Sequence, residues 1–298
     1  MTKILLLGKN GQVGFELARS LQPLGKVIAL DRATGGDVTD FSQMTQAFAS
    51  HRPHFVVNAT AYTAVDKAEE DKDTADLVNH LAVAHLAQLA KAQGSILIHY
   101  STDYVFDGTG EAFWIETDAT NPVNHYGATK RAGELALEHS GADFINLRTS
   151  WVFGTHGNNF LKTMLKLAKD KKTLGIIHDQ VGSPTPAQLI ADVTAQIIRQ
   201  LQLNPDFQAF GHYHLSTGGL CSWYDYATFI FKEARTLGMT LVVEEVNAIT
   251  TTDYPTPAKR PHNSRLDTGK LKSTFGLSLP HWQHGVTYVL KELIHDRS

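Results

Sequence analysis

The chain has 298 residues, and its 27 Lys and Arg side chains are outnumbered by 30 Asp and Glu, which gives a formal charge of −3. This balance, with basic residues scattered among acids, excludes a nucleic-acid-binding protein, because such a protein needs a basic patch. Hydrophobic residues at 42% and charged residues at 19% exclude extended disorder and leave room for one large α/β domain or a nucleotide-binding domain with a smaller lobe.

Short apolar runs alternate with longer segments of helical period in the first half of the chain. The predicted strands are residues 4–7, 27–29, 55–58, 96–100 and 144–148. The predicted helices between them are residues 13–24, 41–51, 74–93 and 126–140. This alternation predicts an α/β fold, a Rossmann-like doubly wound parallel sheet with helices on its faces.

The pattern loosens in the second half, where turn-forming residues cluster at 179–186 and 253–257. Loops of this kind often carry binding residues on a rigid scaffold. We therefore predict an NAD(P)-binding domain over residues 1–175 and a smaller C-terminal substrate-binding lobe over residues 176–298, with helices shared between the two.

A glycine-rich loop, Gly8-Lys9-Asn10-Gly11-Gln12-Val13-Gly14, follows the first predicted strand and opens the first helix. Glycines in this context permit a tight turn and let the backbone approach a pyrophosphate at the helix N terminus. The same residues also suit a plain strand-to-helix turn. The position of the loop favours a dinucleotide site.

Asp31 follows the second predicted strand, where an acid can accept hydrogen bonds from the adenosine ribose and thus favours NADH. Arg32 comes next and can pair with the 2′-phosphate of NADPH. The alternative for Asp31 is a turn residue that caps the following segment. The choice between NADH and NADPH therefore stays open.

Tyr126 and Lys130 stand four residues apart, so that a helix places both on one face. The neighbouring cation is expected to lower the pKa of the phenol toward the working pH. Asn121-Pro122 upstream fits a helix start. Because the spacing also occurs by chance, a third element is needed to indicate catalysis.

That third element is a hydroxyl at the end of the strand over residues 96–100. The carboxyl ends of parallel strands are where such sheets bind ligands. Thr102 is the preferred partner for a substrate carbonyl, and Ser101 is the second choice. The three elements together predict a nicotinamide-dependent reductase.

The chain resembles the extended short-chain dehydrogenase/reductase family, closest to its deoxysugar-nucleotide reductases. The resemblance covers essentially the whole chain and rests on GKNGQVG, NATAYTAVDKAE, HYSTDYVFDG, YGATK, NLRTSWVFG, NNF, DQVGSPT, WYDYA and YPTPAKRPHNSRL. It implies reduction of the 4-keto group of a dTDP-linked sugar by NADPH or NADH.

The resemblance also implies roles for individual residues. The cofactor residues, beyond Gly8 and Gly14, are Gly11, Gln12 and Val13 at the pyrophosphate, Asp31, Asp37 and Val38 at the adenosine, and Ala61, Tyr62, Thr63 and Tyr100 along the cleft. Tyr126 is the implied proton donor and also an implied cofactor residue, and Lys130 is the implied ligand of the nicotinamide ribose. Thr102 tunes the tyrosine and, with Asp103 and Trp151, contacts the sugar nucleotide. Arg260 is either a diphosphate ligand or a solvated surface side chain.

The resemblance to some members of the family implies a magnesium-linked dimer held by three glutamates. Their positions are occupied here by Glu16, Gln188 and Glu292. Gln188 removes one of the three charges that attract a hard cation. Magnesium and a homodimer are therefore left open.

Four other functions are alternatives, and the first is a reductase that acts on another nucleotide sugar. Dehydratases of this family share an Asp-Glu pair after the threonine. In this sequence Tyr104 follows Asp103, so the glutamate that dehydration requires is missing. An epimerase, which regenerates its bound NAD, is not excluded. A non-catalytic regulatory subunit of methionine adenosyltransferase shares the fold, but it has no need for Thr102, Tyr126 and Lys130.

Cys221 is the only cysteine, so no intrachain disulfide forms, and its surroundings suggest a buried thiol. The N-terminal MTKILLLG is interpreted as a first strand, and no run approaches the length of about 18 apolar residues that spans a bilayer. These features predict a cytoplasmic protein. His212 and His214 lack zinc partners, and Trp223, Tyr224 and Tyr226 are expected to pack in a core.

Overall fold

The computed structural model describes residues 1–204 and 206–295. Its strands are β1 (Lys3–Leu7), β2 (Lys26–Leu30), β3 (Phe55–Asn58), β4 (Ile96–Thr102), β5 (Phe144–Thr149), β6 (Val152–Phe153), β7 (Thr173–Ile177), β8 (Val181–Gly182), β9 (Thr185–Pro186), β10 (Gly211–His214), β11 (Cys221–Ser222) and β12 (Glu245–Ile249). Its helices are α1 (Gln12–Ser20), α2 (Phe41–His51), α3 (Lys72–Asp76), α4 (Ala82–Gln93), α5 (His125–Ser140), α6 (Phe160–Asp170), α7 (Ala187–Leu203), α8 (Trp223–Thr236), α9 (Gly269–Phe275) and α10 (Trp282–His295).

The main sheet has six strands in the order β10-β5-β4-β3-β1-β2, and all of its neighbouring pairs are parallel. The predicted Rossmann-like parallel sheet is therefore confirmed. The direction in which strands are added reverses at β1: β2 lies on one side of β1, whereas β3, β4 and β5 follow on the other side. Ligands of open α/β sheets bind at such a switch point, outside the carboxyl ends of the strands.

The sheet is buried on both faces, which explains why its strands are nearly continuous apolar runs. Along β1, Ile4 and Leu6 join a core with α7, whereas Leu5 and Leu7 join a core with α2 and α4. This alternation follows from the period of two in a strand. The helices that cover the sheet thus fix the carboxyl edge of β1, β3 and β4 in place.

The second half of the chain builds a smaller lobe around α6, α8 and α10, with its own core of buried side chains such as Leu161, Tyr226 and Val286. Three two-stranded sheets, β12-β7, β11-β8 and β6-β9, border it. However, α7 packs on α1, and β10 pairs with β5 in the main sheet. The chain after residue 175 therefore contributes to both parts, and a boundary at that residue stays a prediction.

Some predicted bounds are wrong. The helix predicted over residues 13–24 ends at Ser20 and is followed by a 3-10 turn, Gln22–Leu24, that contains Pro23. The helix predicted over residues 74–93 is interrupted by a π-helical turn, Leu77–Leu81. Helix α5 starts after Asn124, which caps it, and not at Asn121-Pro122. In the described part of the chain, no helix is long and apolar enough to cross a membrane.

Candidate active site

The glycine loop joins β1 to α1 in the geometry expected for an anion site. Gly8 has φ +85°, a left-handed conformation that favours glycine. A Cβ at Gly14 would lie 2.0 Å from the Gly8 carbonyl oxygen, so only glycine lets the helix come this close to the turn. Gly11 caps α1 without a side-chain hydrogen bond, which leaves first-turn amides for a bound phosphate.

A cleft of about 650 Å³ opens beside this loop at the carboxyl edge of the sheet. Its wall contains seven of the predicted cofactor residues, namely Gly8, Gly11, Asp31, Asp37, Val38, Ala61 and Tyr62. The other predicted cofactor residues lie outside the wall, namely Gln12, Val13, Gly14, Thr63, Tyr100, Tyr126 and Lys130. The structure thus brings Asp31, Asp37 and Val38, the residues predicted to contact the adenosine, together in one cleft.

Asp31 caps the turn that follows β2. Its Oδ1 accepts hydrogen bonds from the Thr34 amide at 2.9 Å and the Thr34 hydroxyl at 2.8 Å, and its Oδ2 accepts from Asn10 Nδ2 at 2.5 Å. The hydrogen bonds to Thr34 hold the pKa of Asp31 below its ordinary value. Asp31 therefore caps the turn and also lines the cleft, and its role at the adenosine ribose stays a prediction.

Arg32 extends from the same turn with a side chain that is 77% exposed and whose Nε lies 3.4 Å from Asp37 Oδ2. Lys9 Nζ lies 3.6 Å from Asp31 Oδ2 on the other side. Lys9 and Arg32 therefore place cations on either side of the Asp31 carboxylate. The choice between a 2′-hydroxyl and a 2′-phosphate stays open.

Lys130 is 1% exposed and points from α5 to the sheet. Its Nζ donates to the Tyr100 carbonyl oxygen at 2.6 Å and lies 3.2 Å from His99 Nε2. Burial lowers the pKa of Lys130 to about 8. Burial and the Lys130 charge together hold the pKa of His99 well below its ordinary value, so that this imidazole is neutral beside the ammonium.

Tyr126 lies one turn before Lys130 on α5. Its pKa is raised from the ordinary value of 10.0, chiefly by burial, while a hydrogen bond with Thr102 opposes the rise. The expected lowering by Lys130 is wrong, because that ammonium is directed at the Tyr100 carbonyl. At neutral pH the phenol is therefore fully protonated and ready to donate.

Thr102 ends β4, directly opposite Thr149 of β5. Its hydroxyl donates to Asp103 Oδ1 at 3.0 Å and accepts from the Tyr104 amide at 3.2 Å. Ser101 is also buried, but its hydroxyl has no hydrogen-bond partner among the described residues. Thr102 is thus the hydroxyl that the structure brings beside Tyr126.

Asp103 is 2% exposed, and its Oδ2 has no hydrogen-bond partner in the described chain. Burial raises the pKa of this carboxyl to about 6, against the lowering effect of hydrogen bonds from Ser264 and Thr102. A buried, unsatisfied carboxylate oxygen costs free energy unless a ligand or water donates to it. Asp103 is therefore well placed to accept a hydrogen bond from a bound hydroxyl.

Arg260 is held near Tyr104 by an ion pair with Asp66. Its Nη2 lies 2.7 Å from Asp66 Oδ2, and its guanidinium lowers the pKa of Tyr104, which burial raises to about 12. The Tyr104 ring meets the Tyr126 ring edge to face, with centroids 5.6 Å apart. Arg260 is thus a partly buried, paired side chain rather than a freely solvated one.

Trp151 lies beyond the end of β5 and has φ +49°, a left-handed conformation. Its indole stacks on Trp223, with ring centroids 3.6 Å apart and an interplanar angle of 14°. Trp223 also packs on Phe160, and Tyr226 is fully buried in the lobe. The predicted packing role of the Trp223 and Tyr226 rings is confirmed, but Trp223 packs on a predicted substrate residue.

Several supporting residues were missed by the sequence reasoning. Asn79, in the π-helical turn, bonds the backbone of Tyr62 in the cleft and the Thr129 hydroxyl on α5. Glu134 accepts two hydrogen bonds of 2.8 Å from Arg148, and both side chains are buried. Only Glu134 had a usable signal, since it follows Lys130 by one helical turn on the same face.

Glu16, Gln188 and Glu292 also come together. Gln188 Nε2 lies 3.4 Å from Glu292 Oε2, and the pKa of Glu16 is raised by burial and also by the Glu292 charge. Arg19 Nε lies 3.5 Å from Glu16 Oε2 and already supplies a cation there. Two carboxylates beside a guanidinium do not fit a magnesium site, which needs mainly anionic oxygen ligands.

The cysteine and the two histidines that the sequence singled out are buried or paired within the fold. Cys221 is buried, and burial raises the pKa of its thiol. His212 Nε2 lies 3.0 Å from Glu138 Oε1, and burial lowers the pKa of His214 to about 3. Within residues 1–204 and 206–295, no group of three or more His, Cys, Asp or Glu side chains could hold a metal ion.

Comparison with known proteins gives one family over nearly the whole chain. The family model described as RmlD substrate binding domain matches residues 1–295. The chain is 51% identical over 293 residues to the dTDP-4-dehydrorhamnose reductase of Escherichia coli (strain K12), and the match covers 97% of both chains.

Solved structures have the same fold. The dTDP-4-dehydrorhamnose reductase of Bacillus anthracis str. Ames in complex with NADP superposes with a TM-score of 0.90 at 32% identity, covering 98% of this chain and 100% of that one. The UDP-glucose 4-epimerase of Thermus thermophilus in complex with NAD gives a TM-score of 0.80 at 20% identity, covering 98% and 99%. The epimerase likeness extends to the fold alone.

Proposed function

Because the chain belongs to the RmlD substrate-binding domain family, we propose that it reduces the C4 ketone of dTDP-4-dehydro-L-rhamnose to dTDP-L-rhamnose with NADPH or NADH. The E. coli relative at 51% identity carries the name of this reductase, and the B. anthracis relative binds NADP. These relatives support the reductase over the epimerase and the non-catalytic subunit.

The single observation that carries the proposal is the meeting of Thr102, Tyr126 and Lys130 at the carboxyl edge of the main sheet. Thr102 ends β4, and the other two side chains lie on one face of α5. The cleft behind the glycine loop opens at the same edge. A hydroxyl, a protonated phenol and an ammonium beside a dinucleotide cleft are the groups that reduction of a ketone requires.

Tyr126 is the proposed proton donor. A reduced nicotinamide, when bound, supplies the hydride that adds to C4 of the sugar. Negative charge then develops on the ketone oxygen, and Tyr126 passes its phenolic proton to that oxygen. The raised pKa of the phenol keeps this proton in place until the alkoxide forms.

Lys130 and Thr102 assist this transfer in different ways. The Lys130 ammonium, which the Tyr100 carbonyl holds in place, is the proposed ligand of the nicotinamide ribose. The Thr102 hydroxyl opposes the rise in the pKa of Tyr126 that burial causes. Both groups are buried, so water does not compete for them.

Substrate binding is proposed for three further residues. Asp103 offers its unpartnered Oδ2 to a sugar hydroxyl. Trp151 offers an indole face to the sugar ring. Arg260, which Asp66 orients, is the proposed contact for a diphosphate oxygen, because a guanidinium matches phosphate oxygens.

The test is to mix the enzyme with dTDP-4-dehydro-L-rhamnose and either NADPH or NADH and to follow absorbance of the reduced nicotinamide. We expect stoichiometric oxidation of at least one cofactor and formation of dTDP-L-rhamnose. An epimerase would convert a sugar nucleotide without net oxidation. A protein that binds the cofactor and oxidises neither form with this substrate would contradict the proposal.

A further inference from the structure

Trp151 adopts a backbone conformation that has to be held in place. Among the described residues, only Arg52 and Trp151 combine a side chain with a positive φ. A left-handed conformation is unfavourable for a bulky residue and persists only where surrounding contacts enforce it. Such positions cluster at functional sites, and Trp151 follows β5 at the edge where Thr149 pairs with Thr102.

Two groups contact the Trp151 indole. The Trp223 ring covers one face at a centroid distance of 3.6 Å. Gly182 approaches the indole so closely that a Cβ there would lie 2.9 Å from Trp151 Cε2. The same Cβ would lie 3.0 Å from Ser264 Cβ, and Ser264 is one of the groups that lower the pKa of Asp103. Gly182 and Ser264 thus connect the Trp151 indole to the residues around the buried carboxylate.

Trp223 is itself locked. It is the first residue of α8, which Ser222 and Asp225 cap with reciprocal hydrogen bonds. Its Nε1 donates to Gln180 Oε1 at 3.0 Å, and Gln180 is 3% exposed. Gln180 Nε2 in turn donates to Thr251 Oγ1 at 3.1 Å. The ring plane of Trp223 is thus set by a buried amide and not by packing alone.

We propose that Trp223 is a positioning residue for the sugar ring of the substrate: locked by Gln180, it holds Trp151 in its left-handed conformation with one indole face toward the substrate. The proposal rests on the proposed function and extends it to the lobe. Gln180 acts through Trp223, because it hydrogen-bonds Trp223 and Trp223 in turn stacks on Trp151. An aromatic face suits the C–H face of a deoxysugar, whose removed hydroxyl leaves an apolar patch.

The test compares Trp223→Leu and Trp223→Phe with the unchanged enzyme. Loss of the stacked ring in Trp223→Leu is expected to raise KM for the sugar nucleotide about tenfold, the size of one aromatic pair, while KM for NADPH is unchanged. Trp223→Phe keeps an aromatic ring but loses the hydrogen bond to Gln180, so it should recover only part of the loss. Gln180→Leu should act in the same direction but less strongly.

Tyr224→Leu is the matched control, because it removes a neighbouring half-buried aromatic ring of α8 that has no contact described with Trp151. A purely structural role for Trp223 would lower the amount of folded enzyme and leave both KM values unchanged. That result, or equal increases in KM for the sugar nucleotide and NADPH, would overturn the proposal.

Binding measurements separate this proposal from the proposed function. Isothermal titration with dTDP-L-rhamnose and with dTDP alone is expected to show that Trp223→Leu weakens binding of the sugar nucleotide and leaves that of dTDP unchanged. If Trp223→Leu weakens binding of the sugar nucleotide alone and the unchanged enzyme shows no turnover, the proposed function is contradicted and the positioning role stands. Equal weakening of both ligands, or no weakening, overturns the positioning role.

Discussion

The Lys130 ammonium donates a 2.6 Å hydrogen bond to the carbonyl oxygen of Tyr100, at the point where β4 approaches its end. This contact fixes the cation between α5 and the sheet, with neutral His99 on its other side. Since burial lowers the pKa of Lys130 to about 8, its charge is sensitive to pH in the range where enzymes are assayed.

We expect kcat/KM to fall as the pH rises through about 8, because the active form of Lys130 is the protonated one and its lowered pKa makes it lose that proton early. Tyr126 stays protonated over this range, because its own pKa is raised. Arginine keeps its charge, so Lys130→Arg should have lower activity but no alkaline limb near this pH. An unchanged limb in that variant would assign it to another group.

Tyr126→Phe is expected to lower kcat by roughly a hundredfold or more, the range for removal of a general acid. Most of the cofactor affinity should be retained, because the glycine loop is unchanged, as measured by quenching of protein fluorescence with NADPH. Tyr254→Phe, an exposed tyrosine in the same chain, is the control and should be fully active. A folded Tyr126→Phe enzyme with full activity would eliminate the phenol as proton donor.

Opposite changes in cofactor preference are expected at Asp31 and Arg32. Asp31→Asn keeps a side chain that can cap the turn but removes the charge that repels a 2′-phosphate, so the ratio of kcat/KM for NADPH to that for NADH should rise about tenfold. Arg32→Ala should lower the same ratio. Equal effects of either variant on both cofactors would show that these residues do not read the 2′ position.

Glu134→Gln should lower the free energy of unfolding by about 3–5 kcal/mol, since it leaves the Arg148 charge buried without its partner. The double variant Glu134→Gln, Arg148→Met should recover much of this loss in urea unfolding. The pKa of Glu134 is lowered from 4.5 to about 2, mainly because Arg148 outweighs burial.

The stabilisation from this carboxylate is therefore complete above pH 4.5 and disappears as the pH falls through about 2. The double variant should lack this acid dependence. Equal acid sensitivity of the two proteins would mean that other carboxylates dominate.

Chelation of divalent metals should leave activity and thermal midpoint unchanged, because Gln188 leaves only two carboxylates at this position and Arg19 already supplies a cation beside Glu16. Gln188→Glu restores a third carboxylate, and magnesium should then raise the thermal midpoint of that variant. Gln196→Glu, at an exposed position of the same helix, controls for added charge. Activity of the unchanged enzyme that EDTA removes and magnesium restores would refute this prediction.

The sequence allowed the local parts of the site to be predicted. The glycine loop, the strand ends and the spacing of Tyr126 and Lys130 depend on residues close in the chain, and the predicted strands differ from the observed ones by at most two residues at an end. The residues of the adenosine end of the cleft follow from the family resemblance and lie together in the structure.

The unpredicted parts depend on distant contacts. The direction of the Lys130 ammonium is set by the Tyr100 carbonyl on β4, and the phenol of Tyr100 instead reaches Thr194 of α7 at 2.8 Å. The π-helical turn is fixed by Asn79, which joins the cleft to α5. Spacing along the chain carries no information on such pairings.

The return of β10 to the main sheet has a consequence for any attempt to divide the chain. Residues 211–214 cover the outer edge of β5 with parallel backbone hydrogen bonds. A fragment that stopped at residue 175 would leave that edge open, with its amide and carbonyl groups free to recruit another chain. Expressed alone, the first half should therefore aggregate, and adding the second half as a separate polypeptide should suppress this.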